Sequence, residues 1–186
     1  MIIDNAVRVY TRQEWRKWLS EHHQSEAYCW LVTAKNDPIS YLDTVEEALC
    51  FGWIDSTRKR IDENQKCQRF TPRRKNSNWT ELNKERVRRL ARLGLMTEAG
   101  NKVLPEMDPN SFVIHEEILK RLEQDEELYR NFQALPGLYV RIRMDNIQSV
   151  KSDAALYASR LDKFIEHTRL NKIYGQWHDD GRLLEE

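Results

Sequence analysis

Aromatic rings and cationic side chains alternate along residues 46–83, and this segment offers the strongest chemical signal in the chain. The rings of Phe51, Trp53, Phe70 and Trp79 are interleaved with one acid and a set of bases, namely Asp55, Arg58, Lys59, Arg60, Arg69, Arg73, Arg74 and Lys75. Guanidinium and ammonium groups bind phosphates and carboxylates, and aromatic faces bind flat or cationic groups. The segment therefore predicts a site for a small anionic or aromatic ligand, or for a protein partner.

The predicted site lies where a β-hairpin meets the next helix. Strand alternation places one set of side chains on each strand's functional face: Trp53, Asp55, Thr57 and Lys59 on the first strand, and Arg69, Thr71 and Arg73 on the second. Asn78 is the expected N-cap of a helix beginning at Trp79, with Glu81 at its third position. The free N–H groups of such a first turn attract anions. The candidate ligand-binding residues are Trp53, Asp55, Lys59, Arg69, Arg73, Trp79 and Asn83.

Three other interpretations of these residues stay open. Asp55, Lys59, Arg69 and Asn83 also suit a buried structural network in which each charge compensates another. An enzyme would use Asp55 as the acid–base group and Arg69 and Arg73 as anion clamps. We favour a binding protein and assign no catalytic residue.

Nucleic acid is the third interpretation, and the weakest. Residues 57–92 hold 13 Lys and Arg against four acids, and Lys84, Arg88 and Arg92 follow one helix flank. Glu81 and Glu85 interrupt that flank, and the whole chain has a net charge of zero.

Histidine and cysteine spacing favours neither a metal nor a cofactor. His22 and His23 are adjacent rather than four apart, and the other histidines are isolated. Cys29, Cys50 and Cys67 form no even framework. Because Cys29 and Cys50 lie in apolar runs, we expect buried reduced thiols and a reducing compartment.

Length and composition predict one soluble domain. The chain has 186 residues, of which 40% are hydrophobic and 32% charged. No run approaches 18 apolar residues, and the segment MIIDNAVRVYTRQEW lacks the apolar core of a signal peptide. We therefore expect a cytoplasmic protein without a membrane span.

The pattern of elements predicts an α+β fold that is mainly helical, with a small antiparallel sheet and a C-terminal helical subdomain. The expected sheet has three strands at most, over Ala27–Ala34, Trp53–Ile61 and Lys66–Pro72. The expected helices of the first part are Arg12–His22, Leu42–Phe51 and one from Trp79 to Leu93, closed by Gly94. The organisation that we expect is an α+β part over 1–107, a helical part over 108–170 and a tail over 171–186.

The segment also resembles a known family. The motifs EEALCFGWIDS and RFTPRRKNSNWTELN, followed by GLMTEAG, are similar to those of the YdeI/OmpD-associated family, also called bacteriocin-protection proteins. The C-terminal part resembles the helical tail of that family at Phe132, Leu135 and Pro136. The resemblance implies a bacterial protein that acts in resistance to envelope-directed peptides, and it implies no reaction or cofactor.

Overall fold

A computed structural model describes residues 3–184, so Met1, Ile2, Glu185 and Glu186 lie outside the described residues. Two compact units divide the chain. The first contains the residues up to Asn78 together with Arg86–Pro105, and the second contains Trp79–Glu85 and the residues from Glu106 onward. The predicted α+β class, mainly helical with a helical C-terminal part, is confirmed.

The first unit combines a sheet with short helices. Its elements in chain order are β1 (Ala6–Arg8), α1 (Arg12–His22), β2 (Cys29–Ala34), α2 (Tyr41–Cys50), β3 (Trp53–Arg60), β4 (Gln65–Pro72), the second half of α3 (Glu81–Arg92) and α4 (Glu98–Asn101). The helices α1, α2 and α3 and the strands β2, β3 and β4 lie close to their predicted bounds, whereas β1 was not predicted.

The sheet is mixed and has the strand order β1-β2-β4-β3. β3 and β4 form the predicted antiparallel hairpin, and β2 pairs antiparallel with β4. The prediction of three strands at most is wrong, because β1 adds a parallel strand on the far edge of β2. Its three residues are too few for an alternation pattern to show.

Local hydrogen bonds fix where α1 and α2 begin. Thr11 and Glu14 form a capping box at the start of α1. Ser40 and Asp43 form a second box at α2, in which each side chain accepts the backbone N–H of the other residue. Gly52 follows α2 with a φ of +73°, a conformation that glycine adopts at little cost.

Aromatic side chains join α1 to one face of the sheet. The ring of Trp15 lies 5.3 Å from that of Phe70, and Trp18 lies 5.9 Å from Trp53, measured between centroids. Trp15, Trp53 and Phe70 are at most 1% exposed, so this contact forms the core of the first unit.

Beside this core lies a buried network of ion pairs. Arg12 contacts Glu46 at 2.7 Å and Glu47 at 2.5 Å, and Glu47 also accepts a bond from Arg16 at 2.7 Å. Arg89 of α3 reaches Glu46 at 3.2 Å. Because Glu46 and Glu47 are almost fully buried, these pairs compensate charges that would otherwise be costly to bury.

The second unit is helical. After the first half of α3 it contains α5 (Glu116–Glu123), α6 (Glu126–Gln133), α7 (Gly137–Gln148) and α8 (Ala154–Arg169). Its core includes Phe132, Tyr139 and Phe164. Trp177, from the segment after α8, is 7% exposed in the same core and contacts Tyr139.

Candidate functional site

Side chains become more exposed along β3, from a buried Trp53 to exposed residues at the hairpin tip. The cations at that tip are Arg58, Lys59 and Arg60 on β3 and Lys66 on β4. The core aromatic side chains therefore anchor one end of the hairpin, while the other end is exposed and positively charged.

A bulge decides which of these cations share a face. Asp55 lies opposite Phe70, and Arg58 lies opposite Gln68, so three steps along β3 match two steps along β4. Cross-strand partners point to the same side of a sheet. Asp55, Arg58 and Arg60 consequently share the face that α1 packs against, which we call the helix-packed face. Lys59 lies opposite Cys67, on the other face.

An open cleft of about 440 Å³ lies at the tip of the hairpin, and we call it the basic cleft. Five cations and two acids line it together with two amides: Lys35, Arg58, Lys59, Arg60, Lys66, Asp62, Glu63, Asn64 and Gln65. The Asp62 carboxylate accepts the backbone N–H groups of Asn64 and Gln65, which shapes the turn. The cleft thus carries a net positive charge.

Four of the five cations of the cleft form no ion pair among the described residues, although Asp62 and Glu63 also line it. Within residues 3–184, no ion pair involves Lys35, Arg58, Arg60 or Lys66. Burial, followed by the neighbouring charge of Arg58, lowers the pKa of Lys66. These four cations therefore lack a paired acid, and folding disfavours the charged form of Lys66.

A smaller cavity of about 220 Å³ adjoins the cleft, and we call it the polar cavity. Lys35, Arg58 and Lys66 line both spaces. The remaining lining residues come from β2, β4, the first turn of α2 and the loop before it: Leu31, Thr33, Ala34, Asp37, Ile39, Ser40, Tyr41, Thr44 and Gln68. Asp37 brings no free charge, because Arg8 binds its carboxylate at 2.9 Å.

Three side chains beside the polar cavity form a hydrogen-bond chain. The Tyr41 hydroxyl donates to Asp55 at 2.7 Å, and the Gln68 amide donates to the Ser56 carbonyl at 2.8 Å and to Asp55 at 3.4 Å. Burial of the hydroxyl, together with the bond to Asp55, raises the pKa of Tyr41 to about 12. The Tyr41 hydroxyl therefore stays protonated and keeps its orientation near neutral pH.

The predicted site residues of the hairpin separate onto two faces. Trp53 and Asp55 lie on the helix-packed face, and the Trp53 indole donates to the His23 carbonyl. On the other face, the Lys59 ammonium lies 4.6 Å from the centre of the Trp30 ring, and the Arg69 guanidinium lies 4.6 Å from that of Tyr28. The expectation that Asp55 and Lys59 share a face is wrong, because the bulge reverses the alternation between them.

Arg73 follows β4 and is 7% exposed. It donates to the Asn78 carbonyl at 3.3 Å, and burial lowers its pKa to about 10. Arg73 is thus a buried cation, and it does not line the basic cleft or the polar cavity.

Trp79 and Asn83 belong to the second unit, at the start of α3. The Asn83 N–H bonds the Thr80 hydroxyl at 3.2 Å, and the Glu81 N–H bonds the Asp145 carboxylate at 3.0 Å. The predicted N-cap Asn78 is wrong, since Thr80 performs that role and α3 starts at Glu81. Two of the N–H groups that were expected to attract an anion are used by the protein itself.

The sequence indicated part of the basic cleft but not its whole lining. Arg58, Lys59 and Arg60 belong to the cation-rich segment, whereas Lys35, Lys66, Tyr41 and Gln68 were not singled out. Lys35, Lys66 and Gln68 are brought together by the pairing of β2 with β4, and Tyr41 by the position of α2, neither of which a local pattern reveals. The sequence signal that could have indicated the cleft is the concentration of cations at the hairpin tip, on both strands.

The structure also bears on metal and thiol chemistry. Among the described residues, no group of three or more His, Cys, Asp or Glu side chains is placed to hold a metal ion. All three cysteines are free and buried, as expected for Cys29 and Cys50. Burial raises the pKa of Cys29 to about 12 and that of Cys50 to about 11, so neither is an activated nucleophile.

No helix within residues 3–184 is both long and apolar enough to span a membrane.

Fold and site together define an α+β protein with a basic cleft at the tip of a β-hairpin. Residues 7–103 match a family model described as a domain of unknown function (DUF8412). Since that match covers more than half of the 186 residues, the chain belongs to this family. Residues 111–171 match the model described as Bacteriocin-protection, YdeI or OmpD-Associated, which confirms the predicted resemblance over the helical C-terminal part. Comparisons with curated proteins and with solved structures gave no match.

Proposed function

We propose that the protein acts by binding a small anionic ligand in the basic cleft. The observation that supports this most directly is the absence of ion pairs at Lys35, Arg58, Arg60 and Lys66, within the described residues, around a cleft of about 440 Å³. A cleft of that volume lies within the range of small-molecule sites. Cations that are held close together and outnumber the acids beside them favour an anion, because an anion lowers their mutual repulsion.

The geometry favours an anion over an aromatic ligand. Trp53 and Trp79 are 1% and 8% exposed, so little of either ring is available for stacking. It also gives little support to an enzyme built on Asp55 with Arg69, since these two side chains point to opposite faces of the sheet. Of the stripe proposed for nucleic acid, Lys84 is already paired with Glu81 at 2.8 Å.

In a cell, binding of this kind would serve stress resistance or bacteriocin protection, the second of which is named in the description of the family matched by residues 111–171. The three buried, free thiols suit a reducing compartment, which supports a cytoplasmic location.

Phosphate titration tests the proposal. Inorganic phosphate in a low-salt buffer is expected to raise the midpoint of thermal unfolding, because a ligand that binds only the folded state stabilises it by mass action. The double variant Arg58→Gln/Lys66→Gln should lose this shift. The matched control Arg74→Gln/Lys75→Gln removes the same charge from exposed residues outside the cleft and should keep it.

Two results would overturn the proposal. One is a thermal midpoint that does not respond to phosphate, sulfate or organic phosphates. The other is an equal loss of the shift in both double variants, because that would show general attraction to a basic segment rather than a site.

A further inference from the structure

The basic cleft and the polar cavity share one wall. Lys35, Arg58 and Lys66 line both spaces, so a molecule bound at these cations can extend from one into the other. A free inorganic ion would fill only the cationic part. The shared wall indicates a ligand with an anionic group at one end and a different chemistry at the other.

The hydrogen-bond chain beside the polar cavity determines what that other chemistry is. The Tyr41 hydroxyl already donates its hydrogen bond to Asp55, and the Gln68 amide donates to the Ser56 carbonyl. What remains free on both side chains is acceptor capacity, at the Tyr41 oxygen and the Gln68 carbonyl oxygen. Groups that donate hydrogen bonds, such as hydroxyls, are the natural complement.

Thr33 adds to this polar lining. Its side chain lies on the cavity wall beside Lys35 and Lys66, and it makes no hydrogen bond to another described residue. A hydroxyl of this kind can both donate to and accept from a ligand. The lining therefore suits an uncharged body with several hydroxyl groups.

The volume of the polar cavity limits the size of that body. At roughly 30 Å³ for each water molecule, 220 Å³ holds about seven waters. A three- to five-carbon polyol has a comparable number of heavy atoms, whereas a nucleoside is much larger. The cavity thus fits a small polyol or sugar and is too small for a whole nucleoside.

We propose that the ligand is a small sugar phosphate or polyol phosphate. Its phosphate would lie against Arg58, Lys66 and Lys35, and its hydroxyl groups would enter the polar cavity beside Tyr41, Gln68 and Thr33. This inference rests on the proposed function, because it requires that the basic cleft binds anions.

Calorimetric titration with four phosphates separates the two proposals. Inorganic phosphate measures the cationic part alone, ethyl phosphate adds an apolar body, and ribose 5-phosphate adds a hydroxyl-bearing one. We expect ribose 5-phosphate to bind at least about tenfold more tightly than ethyl phosphate, because ethyl phosphate leaves the polar lining unpaired. Adenosine 5′-monophosphate, which carries a base on the same sugar phosphate, should bind more weakly than ribose 5-phosphate.

Variants assign the preference to the cavity. Tyr41→Phe should weaken ribose 5-phosphate binding several times more than phosphate binding, and Lys66→Gln should weaken both. Tyr129→Phe, in the second unit, is the matched control and should leave both affinities as they are. If Tyr41→Phe does not fold by circular dichroism, Thr33→Val tests the same cavity from β2.

The outcomes are distinguishable. Equal affinities for ethyl phosphate and ribose 5-phosphate, or tighter binding of adenosine 5′-monophosphate, would overturn this inference and leave anion binding intact. An equal effect of Tyr41→Phe on phosphate and ribose 5-phosphate would also overturn it. No binding of any of the four compounds would overturn both proposals.

Discussion

Arg60 lies directly opposite Lys66 in the β3–β4 ladder, so two cations face each other across the hairpin. Like charges in this arrangement destabilise a sheet. Neither side chain has an ion pair with an acid within residues 3–184. The ligand-free hairpin therefore contains a repulsion that a bound anion would relieve, which links the stability of the fold to occupancy of the basic cleft.

Removing the charge of Lys66 should stabilise the ligand-free protein. We expect Lys66→Gln to raise the free energy of unfolding by about 0.2–1 kcal/mol, the usual size of a cross-strand interaction. Urea denaturation in low salt measures it, and the gain should shrink in high salt because salt screens the repulsion. Lys75→Gln, at an exposed site, is the control. A loss of stability in Lys66→Gln alone would argue against repulsion across the hairpin.

The affinity for phosphate should depend on the protonation of Lys66. Burial, and then Arg58, lowers its pKa below the usual 10.5, so folding disfavours the charged form. Between the lowered folded pKa and 10.5 the unfolded chain binds more protons, and stability rises with pH across that window. Phosphate affinity should fall across the same window, because the ammonium group loses its charge.

Lys66→Arg provides the comparison for this pH dependence, since a guanidinium group remains charged at alkaline pH. Calorimetric titration from neutral pH to about 10.5 should show a flatter affinity profile in the variant. Identical profiles for the two proteins would mean that Lys66 does not control binding.

Glu47 should be essential to the first unit. Its carboxylate is almost fully buried and binds both Arg12 and Arg16. We expect Glu47→Gln to lower the free energy of unfolding by about 2–3 kcal/mol, somewhat less than for a fully buried pair because both arginines are partly exposed. Chemical denaturation measures the change. Glu98→Gln, which removes an exposed pair with Lys102, should have no measurable effect.

Thr80, and not Asn78, should control the start of α3. The Thr80 hydroxyl accepts the Asn83 N–H, so Thr80→Ala is expected to cost about 1 kcal/mol of stability, as for other N-cap residues. Asn78→Ala keeps the backbone carbonyl that Arg73 binds and should change little. Parallel thermal denaturation of the two variants is the measurement. A larger loss in Asn78→Ala would support the cap that the sequence predicted.

Local signals in the sequence predicted much of the fold. The capping box of Thr11 and Glu14 defines the start of α1, because the residues that form it are three positions apart. Gly52 marks the end of α2 in the same way, through its backbone conformation. The hairpin was equally predictable, since two runs of alternating apolar and polar residues flank a polar turn.

Contacts between distant residues were not predictable. Arg12 and Glu47 are 35 positions apart, and no pattern in one chain specifies that they pair. Thr80 and Asn78 are both good caps, and the choice between them depends on packing that the sequence does not display. The lining of the polar cavity likewise depends on where β2 pairs with β4. Of the predicted ligand-binding residues, Lys59 lines the basic cleft, whereas Arg69 lies on Tyr28 outside it, so the grouping of the cleft's cations came only from the structure.

The extra residue between Asp55 and Arg58 has an evolutionary consequence. Deleting Ser56 or Thr57 would straighten β3 while leaving Arg58 opposite Gln68, so the cleft would survive a shorter strand. Keeping both residues in a regular strand would instead bring Lys59 onto the helix-packed face and turn Arg58 and Arg60 onto the other face. Homologues that differ by one residue in length here would thus display different charges to the same ligand, even where every cation is retained.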